Sequence, residues 1–302
     1  MDEQRYPANN TTSGVLVVDK PIGMTSHQVV QVIRRGTNIK RAGHTGTLDP
    51  RASGVLVVLV GPAVRLSEYV SAEDKRYQAT IKLGERTDTY DGDGVVTRTS
   101  DVDATREQFE EALTHFVGEI EQTPPPYSAI KIKGRHAYDM ARNGEEFEME
   151  SRIIKVHSLE LVEWNSPEAV VDVHCSSGTY VRSLAHDLGE MLGCGANLIG
   201  LRRTKSGRFT LKDANPLSKL SEAFDNNSWY QYLIPAADAL SDWTAVVLTN
   251  EEVDLVRHGH RIARDQGDEK MIRAVTEQGE LVALMEFDKE SGEYQPKKVF
   301  FT

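Results

Sequence analysis

The 302-residue sequence contains only two cysteines and has no long hydrophobic run. Cys175 and Cys194 are too few for a disulfide framework or a four-cysteine metal site, which favours a protein of the reducing cytosol. The longest strongly apolar stretch, VLVVLVGPAV at 55–64, is about half of what a membrane-spanning helix needs. The polar start MDEQRYPANN shows no basic region followed by an apolar run, so we expect no secretory signal. These absences predict a cytoplasmic protein.

Sequence motifs that bind cofactors are also missing. The chain has no G-x-x-x-x-G-K-[ST] phosphate loop, no G-x-G-x-x-G after a strand and no paired cysteines for zinc. The run DTYDGDG at 88–94 superficially resembles a calcium loop, but its carboxylates do not alternate as such a loop requires, and we interpret it as a solvated turn. His258 and His260, near a predicted helix end, are interpreted as surface or capping residues. Spacing therefore sets aside the familiar phosphate-loop, dinucleotide, zinc and calcium sites.

Composition is that of an ordinary globular protein, with 27% charged and 39% hydrophobic residues. The length allows one large domain and a small one. A net charge of -11 argues against a protein that coats nucleic acid over its whole surface. A local basic surface is still possible, because counterion release depends on the cations at the contact rather than on the total charge.

Hydrophobic patterning predicts an alternation of strands and helices. GVLVVDKP (14–21) and VLVVLV (55–60) have the pattern of buried strands, and Ser26 is a candidate cap for a helix through VVQVIRR (29–35). YQATIKLG (77–84) alternates as a half-buried strand. Two further helices are predicted by apolar stripes: Phe109, Leu113, Phe116, Val117 and Ile120 in the first, and Val181, Leu184, Leu188, Met191 and Leu192 in the second.

Composition along the chain suggests three regions. Residues 124–151 begin with prolines, are basic first and acidic later, and are interpreted as an excursion from the main body. Residues 215–245 are polar and irregular, which makes them the best boundary candidate. The tail from 246 to 302 begins with a short helix capped by Asn250 and continues in short alternating runs, which predict a small β barrel.

The loop RAGHTGTLDPRASG (41–54) concentrates three glycines around Asp49. One interpretation is a turn between strands, in which Gly43, Gly46 and Gly54 supply unusual backbone angles and Asp49 accepts backbone hydrogen bonds. The other is a site at which the glycines let a flat substrate approach a reactive carboxylate. Loop spacing alone favours the turn.

Five segments together resemble the hallmark segments of the TruB family of tRNA pseudouridine synthases, in the same order. The resemblance covers residues 14–210, and its segments are LVVDKPIGMTSHQVV, RAGHTGTLDPRASGVLVV, KRYQATIKLGERTDTYDGDG, PPPYSAIKIKGRHAYDMARNGE and CSSGTYVRSLAHDLGEMLGCGANLIGLRRTKSGRF. More weakly, the tail resembles the PUA-like RNA-binding domain that follows in many bacterial members. The resemblance departs at Arg51, where many relatives carry an apolar residue, and no role for Arg51 follows from it.

The resemblance implies an α+β fold with a central mixed, mainly antiparallel sheet flanked by helices and loops, plus a small C-terminal PUA-like β barrel. The implied domains are a catalytic domain at 1–240, with a thumb-like RNA-binding insertion at about 124–151, and the PUA-like domain at 245–302. The implied reaction isomerises a flipped-out uridine to pseudouridine at position 55, in the T loop of tRNA, and its chemistry requires no cofactor.

The resemblance also implies roles for individual residues. Asp49 is the expected catalytic carboxylate, Arg182 its basic partner, and Tyr77 the ring that stacks on the target base. Substrate-binding roles are implied for His44, Tyr180, Leu201 and Lys20. Each of these residues also has an ordinary structural interpretation, such as core packing for Tyr77. Phosphate contacts are expected from Lys40, Arg41, Lys131, Lys133, Arg135, Arg202, Arg203, Lys205 and Arg208.

Two other functions stay open at the level of sequence. A glycosidase would use the same aspartate but release free uracil, and a noncatalytic tRNA-folding or binding module would keep its activity without the carboxylate. A guide-RNA-dependent variant is disfavoured because the chain has no long terminal extensions for docking partners. We expect a monomer with the T arm of tRNA as its partner, no membrane contact and no obligate protein partner.

Overall fold

The computed structural model describes residues 12–264 and 269–300. The polar start MDEQRYPANN and the last two residues of the tail lie outside the described residues. The chain divides into two compact units: the first comprises Met1–Pro50, Gly54–Ser71 and Arg208–Thr302, and the second Arg51–Ser53 and Ala72–Gly207. None of the described helices has both the length and the apolar character that crossing a membrane requires.

Strands and helices are numbered in chain order over the described residues. The strands are β1 Gly14–Lys20, β2 Ala42–His44, β3 Ala52–Val60, β4 Lys75–Leu83, β5 Glu85–Thr87, β6 Val96–Thr99, β7 Gly118–Gln122, β8 Lys131–Ile132, β9 Arg135–His136, β10 Arg152–Asn165, β11 Glu168–Cys175, β12 Ala196–Ser206, β13 Phe209–Thr210, β14 Asn215–Pro216, β15 Ile234–Pro235, β16 Ala245–Val247, β17 Met271–Val275, β18 Leu281–Asp288 and β19 Glu293–Val299. The α-helices are α1 Ser26–Thr37, α2 Ser67–Ala72, α3 Arg106–Thr114, α4 Ala137–Arg142, α5 Val181–Met191, α6 Leu217–Asp225 and α7 Asn250–Arg257. Short 3₁₀ helices cover Gly61–Leu66, Trp229–Tyr232 and Ala236–Leu240.

The first unit is built around strand β1. It pairs antiparallel with β3 along its whole length, parallel with β14 and antiparallel with β15, so the pairing is mixed. Val15 and Val17 from β1 and Val57 from β3 are almost fully buried in one hydrophobic core. The two buried strands predicted from GVLVVDKP and VLVVLV are confirmed, because continuous runs of valine and leucine suit strands covered on both faces.

The C-terminal part of this unit forms an open sheet of four strands in the order β16-β17-β18-β19. The predicted closed barrel is therefore wrong within the described residues. Helix α7 completes the core of this four-stranded sheet, and its Val253 and Val256 pack among residues of β17 and β18. Because a helix covers the apolar face, further strands are not needed to bury it.

The second unit contains an antiparallel sheet in the order β12-β4-β11-β10-β7. The alternation predicted for β4 is confirmed: Tyr77, Ala79, Ile81 and Leu83 lie on its buried face. Helix α5 packs against β4 and β12, and α3 packs against β10. An α+β class with a mixed, mainly antiparallel sheet is thus confirmed.

Three local predictions are wrong by small but informative margins. Thr25, not Ser26, caps α1, because the Thr25 hydroxyl and the Gln28 side chain bond each other's backbone N–H groups in a capping box. Thr249, not Asn250, caps α7 in the same way. Phe116, Val117 and Ile120 lie outside the predicted helix, because α3 ends at Thr114, and Ile120 belongs to strand β7, which pairs with β10.

Candidate active site

The backbone on the N-terminal side of Asp49 is fixed by a serine of helix α1. The Ser26 hydroxyl donates to the Leu48 carbonyl at 3.0 Å and accepts from the Leu48 N–H at 2.8 Å. Ser26 is released for this role because Thr25 caps the helix. Both Ser26 and the Leu48 side chain are buried, whereas Asp49 is half-buried. The residue before the carboxylate is therefore held in place while Asp49 keeps part of its surface exposed.

The backbone on the other side of Asp49 is fixed by the turn after β1. The Pro50 carbonyl accepts a hydrogen bond from the Gly23 N–H at 2.8 Å and lies 3.4 Å from the Lys20 ammonium. Lys20 is fully buried, and its ammonium also donates to the Met24 carbonyl at 2.6 Å. Gly23 has a φ of +91°, which favours glycine there. Asp49 is thus flanked by two anchored peptide groups.

The first residues of the loop, Ala42–His44, form strand β2 and are positioned by its pairing with β3. His44 is half-buried at the end of β2, where it pairs with Val58 of β3. Of the three loop glycines with predicted unusual angles, only Gly54 has a positive φ, at +98°. The expectation of unusual backbone angles is therefore wrong for Gly43, which lies in the extended strand β2, and for Gly46, whose φ is not positive.

A second group of predicted site residues lies in the second unit. Tyr77 of β4 is 8% exposed and pairs with Arg203 of β12, while Ala79 pairs with Leu201. Side chains of directly paired antiparallel residues lie on one face, so Tyr77, Leu201 and Arg203 share a face of the sheet. Arg203 is 2% exposed. Its guanidinium is therefore not on the surface where an RNA phosphate would meet it.

Tyr180 stands at the start of helix α5, where a buried glutamine holds it. The Tyr180 N–H donates to the Gln122 side chain at 2.8 Å, and that side chain donates back to the Tyr180 carbonyl at 3.0 Å. The Arg152 guanidinium lies over the Tyr180 ring, 4.9 Å from its centre. Backbone and ring of Tyr180 are both fixed, two residues before Arg182.

Arg182 forms a largely buried ion pair with a residue that the sequence interpretation missed. Its Nη1 lies 3.1 Å from an Asp91 carboxylate oxygen, and the two side chains are 8% and 19% exposed. Nη1 also donates to the Thr89 carbonyl, and Nη2 to the Tyr127 carbonyl, both at 3.2 Å. Asp91 accepts further bonds from the Thr89 hydroxyl and the Asp93 N–H. These contacts fix both the charge and the orientation of the guanidinium.

Asp91 belongs to DTYDGDG, the run interpreted as a solvated turn. Its neighbour Tyr90 has a φ of +64° and stacks on His186 of α5, with ring centres 3.7 Å apart. Asp93 forms an exposed ion pair with Arg51, whose role the sequence left open. One sequence signal could have indicated this role: the segment holds several carboxylates without the spacing of a metal site. Such carboxylates are also suited to pair with arginines.

The predicted phosphate-binding cations occupy different environments. Lys131 and Lys133 are exposed on the hairpin of β8 and β9, and Arg135 makes two hydrogen bonds to the Glu145 carboxylate, at 2.8 and 2.6 Å. Arg202 is half-buried near the Ser53 hydroxyl, and Arg208 donates to the Asp238 carbonyl. Lys40, Arg41 and Lys205 are exposed.

Comparison with known proteins identifies the family. A profile described as the N-terminal domain of TruB family pseudouridylate synthase matches residues 34–181, and the C-terminal domain of tRNA pseudouridylate synthase B matches 182–241. A tRNA pseudouridine synthase B of Thiobacillus denitrificans is 41% identical over 98% of both chains. The corresponding protein of Symbiobacterium thermophilum is 45% identical over 86% of both chains. The chain belongs to the TruB family.

The TruB fold is supported by solved structures as well. A chain of an H/ACA ribonucleoprotein bound to a substrate RNA matches with a TM-score of 0.74 and 26% identity, over 99% of this chain and 89% of that one. A chain of a Cbf5-Nop10-Gar1 complex matches with a TM-score of 0.75 and 28% identity, over 99% and 88%. The family resemblance of the sequence is confirmed, and with it the pseudouridine-synthase fold.

Replacement of Ser26 by alanine tests the anchor of Leu48. The Ser26→Ala change leaves a buried N–H without its acceptor, so we expect the free energy of unfolding to fall by about 1–3 kcal/mol. Denaturant unfolding measures the change. The control is Ser221→Ala, which removes a hydroxyl bonded to the Leu217 carbonyl within α6 and should cost under about 0.5 kcal/mol. Equal losses in the two variants would contradict the anchoring role of Ser26.

Proposed function

We propose that the protein isomerises uridine to pseudouridine at position 55, in the T loop of tRNA. The observation that carries this proposal is the anchoring of Asp49, within the TruB hallmark segment, between two fixed peptide groups. The reaction breaks the N-glycosidic bond between N1 and the ribose, turns the uracil and joins its C5 to the ribose, while C5 loses a proton and N1 gains one. Every other atom of the substrate is retained, so the chemistry depends on positioning and charge rather than on a co-reactant.

Asp49 is the proposed catalytic carboxylate. It attacks the sugar or the base, or it assists uracil departure by taking a proton from the ribose, and each of these routes uses the ionised carboxylate. Arg182 is the proposed cation that favours this charge. Asp91 acts as a positioning residue, because its ion pair and the carbonyls around it leave the Arg182 guanidinium little freedom to rotate.

Tyr77 is the proposed stacking partner of the target base. Its placement at the buried face of β4 supports this role, because a ring anchored in a sheet offers a flat surface at little cost in side-chain entropy. His44, Tyr180, Leu201 and Lys20 are proposed to bind or support the flipped nucleotide. Unstacking a base costs a few kcal/mol, which such contacts offset.

RNA recognition is proposed to involve residues 124–151 as a thumb and residues 245–302 as a second RNA-binding domain. Two exposed lysines lie on the β8–β9 hairpin. Lys131 is in β8, and Lys133 is in the tight turn, where Lys133 and Gly134 both have positive φ angles. Such a turn presents two cations without a folded core around them. We leave Arg203 out of the phosphate contacts because its side chain is buried.

The substrate of the TruB relatives is tRNA, as their names state. We propose that this chain acts on the T arm as a cytoplasmic monomer, without an obligate protein partner. That distinguishes it from the relatives found in complexes with other chains.

The proposed reaction is tested with an unmodified T-arm hairpin. We expect pseudouridine at the T-loop uridine with the unchanged protein, and a rate at least about 10³-fold lower for Asp49→Asn, because the amide cannot replace an ionised carboxylate. Nucleoside analysis of the digested RNA measures both. Asp225→Asn, which removes an exposed carboxylate at the end of α6, is the control and should keep full activity.

The same experiment distinguishes the proposed isomerase from a glycosidase and from a noncatalytic tRNA-binding module. Release of free uracil with loss of the base from the RNA would identify a glycosidase. Tight RNA binding without any conversion would indicate a noncatalytic module. Full activity of Asp49→Asn would contradict the proposed role of the carboxylate.

Replacement of Asp91 tests whether the ion pair positions Arg182. In Asp91→Asn the Arg182 guanidinium loses the charge of Asp91, so we expect the single-turnover rate at saturating RNA to fall about 10²-fold while KM stays within a few-fold. The matched control is Asp93→Asn, two residues along the same loop, whose pair with Arg51 is half-exposed and should matter little. If the two variants had the same rate, Asp91 would have no positioning role.

A further inference from the structure

A second cluster of chemically versatile side chains lies apart from the proposed catalytic residues, within the second unit. His157 Nε2 lies 2.9 Å from an Asp74 carboxylate oxygen, and His174 Nε2 lies 3.9 Å from the same oxygen. The two imidazole rings are 4.6 Å apart at their centres. One ligand atom from each of the three residues lies within 4.8 Å of the other two. Two imidazoles and a carboxylate are the ligand types that zinc prefers.

The backbone places these three residues on adjoining elements. His157 lies on β10 at a register shift between Val156 and Ser158, and His174 lies opposite Ser158 on β11. Such a shift gives one strand an extra residue and redirects its side chain. Asp74 directly precedes β4, and its carbonyl accepts the Gly207 N–H at 2.9 Å. Two ligands are therefore carried by paired strands, and the third by an anchored segment.

The spacing of the cluster is close to that of a tetrahedral site. With metal–ligand bonds of about 2.0–2.2 Å, two ligand atoms of a tetrahedral zinc ion are about 3.4 Å apart. The two observed imidazole-to-carboxylate distances, 2.9 and 3.9 Å, lie on either side of this value. Both histidine-to-carboxylate distances are therefore within about half an ångström of the spacing that a shared ion requires. All three side chains are partly exposed, so an ion could reach them from solvent.

The cluster is separate from the proposed chemistry. Tyr77 pairs with Val173 and His174 pairs with Arg76, so the Tyr77 ring and the His174 imidazole lie on opposite faces of the sheet. The nearby cations are Arg76, which forms an ion pair with Asp172 at 2.6 Å, and Lys205. These positive charges repel a divalent ion, and the ion pair of Arg76 with Asp172 weakens the repulsion from Arg76.

We propose that Asp74, His157 and His174 bind one divalent transition-metal ion of the zinc class, with a solvent molecule in the fourth position. A nitrogen-rich set of three ligands selects such ions over calcium and magnesium, which prefer oxygen ligands at higher coordination number. The ion would join β10, β11 and the segment before β4. This inference is independent of the proposed function.

The test uses the full chain, stripped of metal with a chelator, and ZnCl₂ as the probe. We expect titration calorimetry to show one equivalent bound with a Kd below about 100 μM, and zinc to raise Tm by about 5 °C at saturation. His157→Gln and His174→Gln should each weaken binding at least about tenfold and remove the Tm shift. The control is the double variant His258→Gln and His260→Gln, which removes the exposed histidine pair of the tail and should bind as the unchanged chain does.

Two further measurements keep the result interpretable. Circular dichroism checks that each variant is folded, and pseudouridine formation by metal-free His157→Gln should stay within about twofold of the unchanged chain, because His157 lies outside the proposed catalytic machinery. Absence of zinc binding to the unchanged chain, or binding that survives in folded His157→Gln and His174→Gln, would overturn the proposal.

Discussion

Hydrogen bonds that hold the peptide groups on both sides of Asp49 are the constraint on which the proposed site depends. Leu48 is held through its N–H and its carbonyl by one hydroxyl, that of Ser26, while the Pro50 carbonyl is held by Gly23 and approached by the buried Lys20 ammonium. A carboxylate on a free loop would visit many positions, and few of them would be reactive. Anchoring the flanking peptides removes that freedom before substrate arrives, which is how positioning lowers a reaction barrier.

The same principle governs the arginine of the second unit. A guanidinium that is 8% exposed requires an opposite charge and several acceptors, because burying it without partners would be costly. Asp91 supplies the charge, and the carbonyls of Thr89 and Tyr127 supply the acceptors. Each unit thus contains one charged group of the proposed chemistry, set by its own local contacts. The proposed metal site is also set by local contacts, since His157 and His174 lie on the paired strands β10 and β11 and Asp74 directly precedes β4.

Much of the fold was predictable because hydrophobic patterning reflects burial directly. The runs of β1 and β3 and the alternation of β4 specify strands without reference to the rest of the chain. Helix α5 follows from the buried Val181, Leu184 and Leu188 of its predicted apolar stripe, although Met191 of the same stripe is exposed. Where neighbouring residues compete, patterning fails: either Thr25 or Ser26 could cap α1, and only the position of Leu48 decides between them. The predicted barrel failed because sequence does not specify whether a helix or a strand covers an apolar sheet face.

The candidate site was less predictable, because its key contacts join residues that are distant in sequence. Asp49 and Arg182 were identified through family motifs. The pairing of Asp91 with Arg182 spans 91 positions and leaves no periodic signal. Arg203 has the charge of a phosphate-binding residue, but the register of β12 against β4 places its side chain on the buried face.

The most direct measurement of the central claim is the single-turnover rate of Ser26→Ala on the T-arm hairpin. It is made at saturating RNA and at a temperature where the variant is fully folded, with Ser221→Ala as the reference. If the fixed backbone makes Asp49 reactive, Ser26→Ala converts uridine about 10–100-fold more slowly than the reference. A rate equal to that of the reference would contradict the account.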